Sequence, residues 1–300
     1  MKKTFYSNGK LLLTGEYTVL DGAKALALPT RYGQYLDVEP NCEDYISWTG
    51  FDADGSVWYK DKLILNDIIS NGCNSENTVT KTLVKILHTA HSMNPHVLQH
   101  GFTAETRLTF PRSWGLGTSS TLINNIASWF EINPYSLLWE SFGGSGYDIA
   151  CAANNTPIFY EIKDGQPLVT PVSFKPTFKN NLYFIYLNKK QDSRNAIASY
   201  RERKQNNSLT GIINNLTDAI SGAVTLNDFK ALIKEHEAVM SSVLGQQTVK
   251  QRLFPDFEGS LKSLGAWGGD FILAASEKDP TPYFKTKGFT TILPYKDMIL

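Results

Sequence analysis

The chain has 300 residues, 42% of them hydrophobic and 19% charged, and its 29 basic side chains balance its 29 acidic ones. This size and composition are typical of a globular protein with one large domain or two moderate ones. Zero net charge argues against a general nucleic-acid-binding role, and three widely separated cysteines argue against a disulfide framework.

The sequence carries no sign of an export or membrane segment. The start, MKKTFYSNGKLLL, is interrupted by four polar or small residues at 7–10, so it lacks the apolar stretch of a signal peptide. No run approaches the roughly 18 apolar residues that a membrane span needs. Together with the cysteine pattern, this predicts a cytoplasmic protein that has neither nucleic acid nor a membrane as a partner.

The first third of the chain predicts strands. Residues 4–20 alternate loosely between apolar and polar side chains, and residues 34–39 (QYLDVE) also read as a strand. Residues 45–60, YISWTGFDADGSVWYK, place two aromatic runs on either side of DADG, which is typical of a β-hairpin. Asp52 and Asp54 lack the remaining ligands of a calcium loop and are interpreted as turn residues.

Helices are predicted next. Residues 77–92 carry apolar side chains at helical spacing, with Asn77 or Thr78 as the cap. A strand over residues 102–110 and an apolar helix over 121–130 follow. Pro134 is suited to the first turn of a further short helix.

A stretch with three prolines is predicted to separate two domains. Residues 164–181 show little periodicity, so we place the boundary there and predict domains at 1–165 and 175–300. Beyond it we expect a strand at 181–187 and helical material from about residue 194 to 244 interrupted by Gly211 and Gly222. Residues 264–276 are predicted to form a glycine turn that enters an apolar strand, and residues 288–295 a final strand. The mixture predicts an α+β fold.

Residues 115–120, GLGTSS, lie between a predicted strand and a predicted helix. Glycines allow backbone N–H groups to approach a ligand, and the start of a helix leaves about four N–H groups free and carries partial positive charge. The run is therefore a candidate phosphate cradle. The alternative is a plain turn in which Thr118 or Ser119 caps the helix.

Two better-known phosphate loops do not fit. GxxxxGK followed by serine or threonine is absent from the sequence. The dinucleotide fingerprint GxGxxG would need glycine at Ser120, and the helix after it leads to another helix instead of a parallel strand.

Four segments resemble, in order, the motifs of the GHMP superfamily of small-molecule kinases, which includes galactokinase, homoserine kinase, mevalonate kinase and phosphomevalonate kinase. SNGKLLLTGEYTVLDGAKALALP at 7–29 resembles PGKxxLxGEHxVxxGxxAxA, and PRSWGLGTSS at 111–120 resembles PxxxGLGSS. SGYD at 145–148 resembles SGxD, and GAWGGD at 265–270 resembles the glycine-rich third motif. The mevalonate-pathway kinases are the most similar branch, within a bacterial subgroup marked by the string GYDIA.

This resemblance implies a two-domain GHMP kinase fold of class α+β. The N-terminal α/β domain would carry an ATP loop of the left-handed-crossover type, and the C-terminal α+β domain would be ferredoxin-like. The resemblance also implies that ATP and Mg²⁺ are the cofactors and that a small molecule is the partner. The ATP loop would consist of Pro111, Gly115, Leu116, Gly117, Thr118, Ser119 and Ser120.

The resemblance also implies catalytic roles. Asp148 would lie beside the acceptor hydroxyl and take its proton or orient it, and Lys10 would pair with that carboxylate and stabilise the incipient alkoxide. Ser120 would be a metal-side hydroxyl, and Glu140 is the acidic residue closest before SGYD, at a shorter spacing than in the family.

On the substrate side, Glu16, Tyr17 and Ser145 follow from the motifs. Ser193 and Arg194 lie in a run that loosely resembles the STxxxV segment of mevalonate kinases and are candidates for a carboxylate or phosphate contact.

The sequence departs from the family pattern in two places. Trp267 stands at a glycine position of the third motif, where it would stiffen the loop or stack on a ligand. Only about thirty residues separate the second motif from Asp148, fewer than in mevalonate kinase, so the substrate pocket must differ.

The sequence favours a kinase for mevalonate or phosphomevalonate. Diphosphomevalonate decarboxylase, a homoserine or sugar kinase, and an ATP-binding relative without turnover stay open, and the sequence does not give the oligomeric state.

Overall fold

The computed structural model describes residues 1–189, 197–198, 200–202, 208–267 and 269–300. In its first half the elements are β1 (Lys3–Leu12), a 3₁₀ turn (Thr18–Asp21), β2 (Ala25–Pro40), β3 (Tyr45–Phe51), β4 (Val57–Ile64), α1 (Leu65–Ser70), α2 (Thr78–Met93), β5 (Phe102–Leu108), α3 (Thr118–Phe130), α4 (Pro134–Ser141) and α5 (Tyr147–Ala153).

The second half of the chain contributes β6 (Ile158–Lys163), β7 (Gln166–Pro171), β8 (Leu182–Tyr186), α6 (Leu209–Ser221), α7 (Leu226–Leu244), α8 (Val249–Leu253), β9 (Ser260–Ser263), β10 (Phe271–Ala275), α9 (Thr281–Thr286), β11 (Ile292–Pro294) and α10 (Tyr295–Met298). None of the helices in the described part of the chain has both the length and the apolar character that a bilayer crossing requires.

Two compact units emerge from the contacts, and they are interleaved along the chain. Unit 1 contains Met1–Gly9, Tyr32–Arg112 and Leu116–Ala153, and unit 2 contains Lys10–Arg31, Ser113–Gly115 and Asn154–Leu300. The domains predicted from the sequence, 1–165 and 175–300, are continuous, and those limits stay a prediction.

Unit 1 is a sheet covered by helices. Its strands lie in the order β4-β3-β5-β2, with β3 and β5 parallel and the other pairs antiparallel. Strand residues such as Trp48 pack in one core with residues of α2 and α3 such as Leu87 and Phe130. Asn77 caps α2 by accepting from the backbone N–H groups of Val79 and Thr80, as predicted.

Unit 2 contains an antiparallel sheet in the order β11-β8-β10-β9. In the same unit, β6 pairs on one side with residues 25–27 of β2 and on the other with β7. A core cluster joins β8 and β10 to the helices α8 and α9 through Ile185, Ile272, Phe254 and Phe284.

Most predicted elements are confirmed, including the hairpin, α2, α4 and the strands β5, β8, β10 and β11. Two expectations are wrong. The proline-bearing stretch contains β7, since an edge strand tolerates proline where an inner strand would lose a ladder hydrogen bond. Gly211 does not interrupt a helix but lies inside α6, whereas Gly222 does form the C-cap of that helix.

We predict opposite stability changes for two glycine-to-alanine variants. A Cβ at Gly33 would lie 2.2 Å from the carbonyl oxygen of Ser7, so Gly33→Ala should lower the free energy of unfolding by about 1–3 kcal/mol. A Cβ at Gly211 would meet no described atom within 4 Å, so Gly211→Ala should raise it by up to about 1 kcal/mol through helix propensity. Urea unfolding measures both, and equal stabilities would contradict the close packing of β1 on β2.

Candidate functional site

The start of α3 in unit 1 has the geometry of an anion-binding site. Gly117 is the N-cap residue at φ 96°, and it makes no side-chain cap hydrogen bond because it has no side chain. The alternative in which Thr118 or Ser119 caps α3 is wrong, because both residues lie inside the helix, which begins at Thr118. The first-turn N–H groups therefore have no partner from an N-cap side chain, and such a helix start, at the positive end of the helix dipole, suits a negatively charged ligand.

The three hydroxyls after Gly117 differ in their surroundings. Ser119 is exposed and Thr118 is half-buried, so both can reach a ligand at the helix start. Ser120 is buried, and its hydroxyl donates to the carbonyl oxygen of Gly117 at 2.9 Å. The proton of Ser120 is thus used within the helix, while its lone pairs can still accept or bind a cation.

The segment before the loop is anchored in unit 1. Pro111 is half-buried, and the next residue, Arg112, donates from Nε to the Asp52 carboxylate at 2.7 Å. The guanidinium of Arg112 also lies 4.5 Å from the ring centre of Trp58. Leu116 is fully buried, so an apolar anchor follows.

The second and third motifs meet within unit 2. Gly115 has φ 68°, and a Cβ at this position would lie 2.4–2.6 Å from the carboxylate atoms of Asp270. Asp270 is itself fixed, since its N–H donates to the carbonyl oxygen of Lys189 and its carbonyl accepts from Leu187. Trp114 packs edge-on against Phe271 with 5.4 Å between ring centres. Glycine is therefore required at 115 both by the backbone conformation and by the space.

A buried cluster of charges in unit 2 joins the first motif to α7 and to β9, the strand before the third motif. Lys262 on β9 is fully buried and donates from Nζ to the carboxylate of Glu16, to the carbonyl oxygen of Ser263 at 2.6 Å and to Glu237 at 3.3 Å. Glu237 on α7 also accepts from the N–H of Ser263 at 2.9 Å. Nε2 of His236 lies 3.5 Å from the second oxygen of Glu16.

This position decides what Glu16 can contact. Its side chain is fully buried and its carboxylate is engaged by Lys262, so no exposed atom of Glu16 is offered to a substrate. Burial raises the pKa of Glu16 to about 7, although the Lys262 ammonium opposes that change. Burial also raises the pKa of Glu237. The pKa of His236 lies well below its usual range, because burial and the charge of the Lys262 ammonium both disfavour the protonated imidazole.

Tyr17 and Trp267 belong to one apolar cluster in unit 2. Both have positive φ, 59° and 54°, and both are buried. Tyr17 stacks on Tyr200 at 5.3 Å, and the hydroxyl of Tyr200 donates to Asp21 at 2.5 Å. Trp267 belongs to the same buried cluster as these rings and Met240, so its indole is packed against the protein within unit 2. Gly268, next to it, lies outside the described residues.

The other predicted residues are placed as follows. Asp148 is the second residue of α5 and half-buried, and Ser145 is buried just before that helix. Burial raises the pKa of Tyr135 to about 12, and the nearby Cys151 and Asp148 contribute to this rise. The sequence did not suggest a tyrosine near Asp148. Lys10 is half-buried on β1 in unit 2, and its pairing with Asp148 of unit 1 stays a prediction.

The metal assignment stays a prediction as well. Glu140 is exposed near the end of α4. Among the residues that the structure describes, no group of three or more histidine, cysteine or acidic side chains could hold a metal. Ser193 and Arg194, predicted on the substrate side, lie outside the described residues.

Lys262 and Glu237 were not predicted from the sequence, and Asp270, although part of the third motif, had no role predicted for it. A signal for the first exists, because SLKSL places one lysine among residues of an apolar strand pattern. A charge at such a position needs a buried partner. The identity of that partner depends on long-range contacts that a single sequence does not give.

We predict that Lys262→Met lowers the free energy of unfolding by about 3–5 kcal/mol, because it leaves two buried carboxylates without their cation. Lys278→Met is the matched control, since Lys278 pairs with Glu258 on the surface with both side chains exposed. Urea unfolding should show a large loss for the first and almost none for the second. Similar losses would contradict a role for the buried pairings.

We also predict a pH dependence that traces to Glu16. A carboxyl group whose pKa is higher folded than unfolded binds its proton more tightly when folded, so the free energy of unfolding falls as pH rises from about 4.5 to about 7. His236 acts in the opposite direction below about pH 6.5, so the comparison must be between variants. Between about pH 5 and pH 8, wild type should lose more stability than Glu16→Gln. Parallel pH profiles would contradict the raised pKa.

Comparison with known proteins identifies the fold. No protein-family profile and no curated protein sequence matches the chain. Among solved structures, Methanococcus jannaschii mevalonate kinase is similar at 16% identity and TM-score 0.67, with 98% of this chain and 97% of that one covered. Streptococcus pneumoniae phosphomevalonate kinase, in complex with phosphomevalonate and AMPPNP, is similar at 14% identity and TM-score 0.69, with 99% of this chain and 98% of that one covered.

Lactococcus lactis galactokinase, complexed with galactose, gives 14% identity and TM-score 0.66, with 95% of this chain and 88% of that chain covered. The similarity spans nearly the whole of each chain, so it concerns the complete α+β architecture and not one shared motif. The two-domain fold class predicted from the four motifs is confirmed. The chain has the fold of the GHMP kinases.

Proposed function

We propose that this chain is an ATP-dependent kinase that transfers the γ-phosphate to a small-molecule acceptor. The observation that carries the proposal is the start of α3, where the N-cap residue is Gly117 and no N-cap side chain therefore occupies the first-turn N–H groups. Such a helix start suits a phosphate group in charge and in hydrogen-bonding capacity. The AMPPNP bound by the pneumococcal structure supports a nucleotide as the source of that phosphate.

The residues of the loop fit a triphosphate. Gly115 and Gly117 both have positive φ and bring bare backbone to the helix start, and the hydroxyls of Thr118 and Ser119 are accessible. Mg²⁺ bound through nucleotide phosphates needs only one or two protein ligands, so a dedicated metal cage is not required. We propose Ser120 and Glu140 for that role, and the metal would neutralise charge on the phosphates.

For the acceptor side we propose Asp148 as the group that takes or orients the proton of the attacking hydroxyl, with Lys10 stabilising the charge that develops. General-base assistance of this kind contributes about 100- to 10,000-fold to a rate. If the acceptor is a phosphate, its attacking oxygen is already ionised and Asp148 contributes less as a base.

As acceptors we propose mevalonate or phosphomevalonate. The four sequence motifs support this choice, as do the mevalonate kinase and phosphomevalonate kinase among the similar structures. Galactokinase has the same fold, so the choice rests on the motifs and not on the architecture. Glu16 is fully enclosed and paired with Lys262, whereas Tyr17 and Ser145 keep 8% and 9% of their surface exposed. We therefore propose Tyr17 and Ser145, together with Ser193 and Arg194, as the acceptor contacts.

The test is release of ADP from MgATP with mevalonate, phosphomevalonate, homoserine or galactose as acceptor. We expect turnover with one of the first two and a loss of about 100-fold or more in Asp148→Asn. Asp54→Asn in the exposed hairpin turn is the matched control and should keep full activity. Binding of MgAMPPNP without turnover on any acceptor would overturn the kinase assignment and favour a non-catalytic ATP-binding relative.

A further inference from the structure

Unit 1 contains a hydrogen-bonded series of buried polar side chains. Of its members, only Ser7 belongs to one of the four motifs. Ser7 on β1, Gln34 on β2 and Thr121, Asn124 and Asn125 on α3 are each at most 7% exposed. Buried polar groups cost free energy unless they are paired, so the pairing of all five requires an explanation.

The first hydrogen bonds of this series join α3 to the strands β1 and β2. Nδ2 of Asn124 donates to the hydroxyl of Ser7 at 2.9 Å, and that hydroxyl donates to Oδ1 of Asn125 at 2.7 Å. Nδ2 of Asn125 then donates to the backbone carbonyl of Gln34 at 2.9 Å. These three bonds fix the middle of α3 on β1 and β2.

The remaining hydrogen bonds of this series reach the start of α3. The hydroxyl of Thr121 donates to the side-chain oxygen of Gln34 at 2.8 Å and lies 3.0 Å from the carbonyl oxygen of Gly117. That carbonyl also accepts from the N–H of Thr121 at 3.0 Å and from the hydroxyl of Ser120 at 2.9 Å. The N-cap residue, which has no side chain of its own, is thereby held from its carbonyl side.

We propose that Gln34 and Thr121 are positioning residues for the ATP phosphates. This rests on the proposed function. Because the Thr121 hydroxyl donates to Gln34, the pair ties the first turn of α3 to β2 and so sets the direction in which the first-turn N–H groups point. Charge-assisted hydrogen bonds to phosphate depend on that direction, so a small rotation of the first turn weakens nucleotide binding.

Burial alone does not account for these polar residues. Ile123, Ile126 and Phe130 already pack α3 into the core of unit 1. Well-packed apolar residues would stabilise the same contact without desolvating polar groups, whereas a satisfied hydrogen-bond chain fixes one orientation. The distinct contribution of Gln34 and Thr121 is therefore orientation of the helix start.

Thr121→Val tests the proposal, because it removes the hydroxyl at nearly constant volume. We expect the Kd for MgAMPPNP, measured by calorimetry, and the KM for ATP to rise about 5- to 10-fold, the size of one lost hydrogen bond, with little change in kcat. Thr121→Ser keeps the hydroxyl and should restore wild-type affinity. Gln34→Met removes the same contact from the strand side and is the second variant should Thr121→Val not fold.

The matched control is Thr89→Val on α2. The hydroxyl of Thr89 also donates to a helix carbonyl four residues earlier, that of Lys85 at 2.9 Å, but on a different helix. Thr89→Val should lose stability without losing affinity for MgAMPPNP. If Thr121→Val or Gln34→Met binds like wild type, the positioning role is overturned while the kinase assignment stands. If wild type itself does not bind MgAMPPNP, the proposed function fails and the positioning role fails with it.

Discussion

One buried cation ties the first sequence motif to the helix α7 and the strand β9 of unit 2. Lys262 is shielded from water and bonded to Glu16 of the first motif, to Glu237 of α7 and to the strand that leads into the third motif. A charge in that environment is tolerated only with its partners in place. The turn after β1, the helix α7 and the strand β9 must therefore adopt their positions together.

Local patterns predicted much of this fold. The aromatic runs around DADG, the periodic apolar side chains after Asn77 and the proline opening α4 each depend on interactions within a few residues. The prolines at 167 and 171 led to the wrong prediction of a stretch without secondary structure. Whether a strand tolerates proline depends on its position in the sheet, and that position is a non-local property.

The candidate site was predictable to the same extent. GLGTSS predicts a glycine close to the start of α3, but only the structure shows that Gly117 is the N-cap residue. Phosphate binding at this helix start stays a prediction. By contrast, Glu16 was predicted to face a substrate and is enclosed with Lys262, a residue 246 positions away in the chain. Thr121 and Gln34 lie 87 positions apart, so their contact too had no local signal.

The same edge strand has a consequence for association between molecules. β7 ends its side of the sheet, and an outermost strand with unsatisfied N–H and C=O groups is a template on which another chain can add a strand. Pro167 and Pro171 have no N–H to offer, which makes this edge a poor template. The prolines that resembled those of an interdomain linker thus disfavour the addition of a strand from another molecule at this edge.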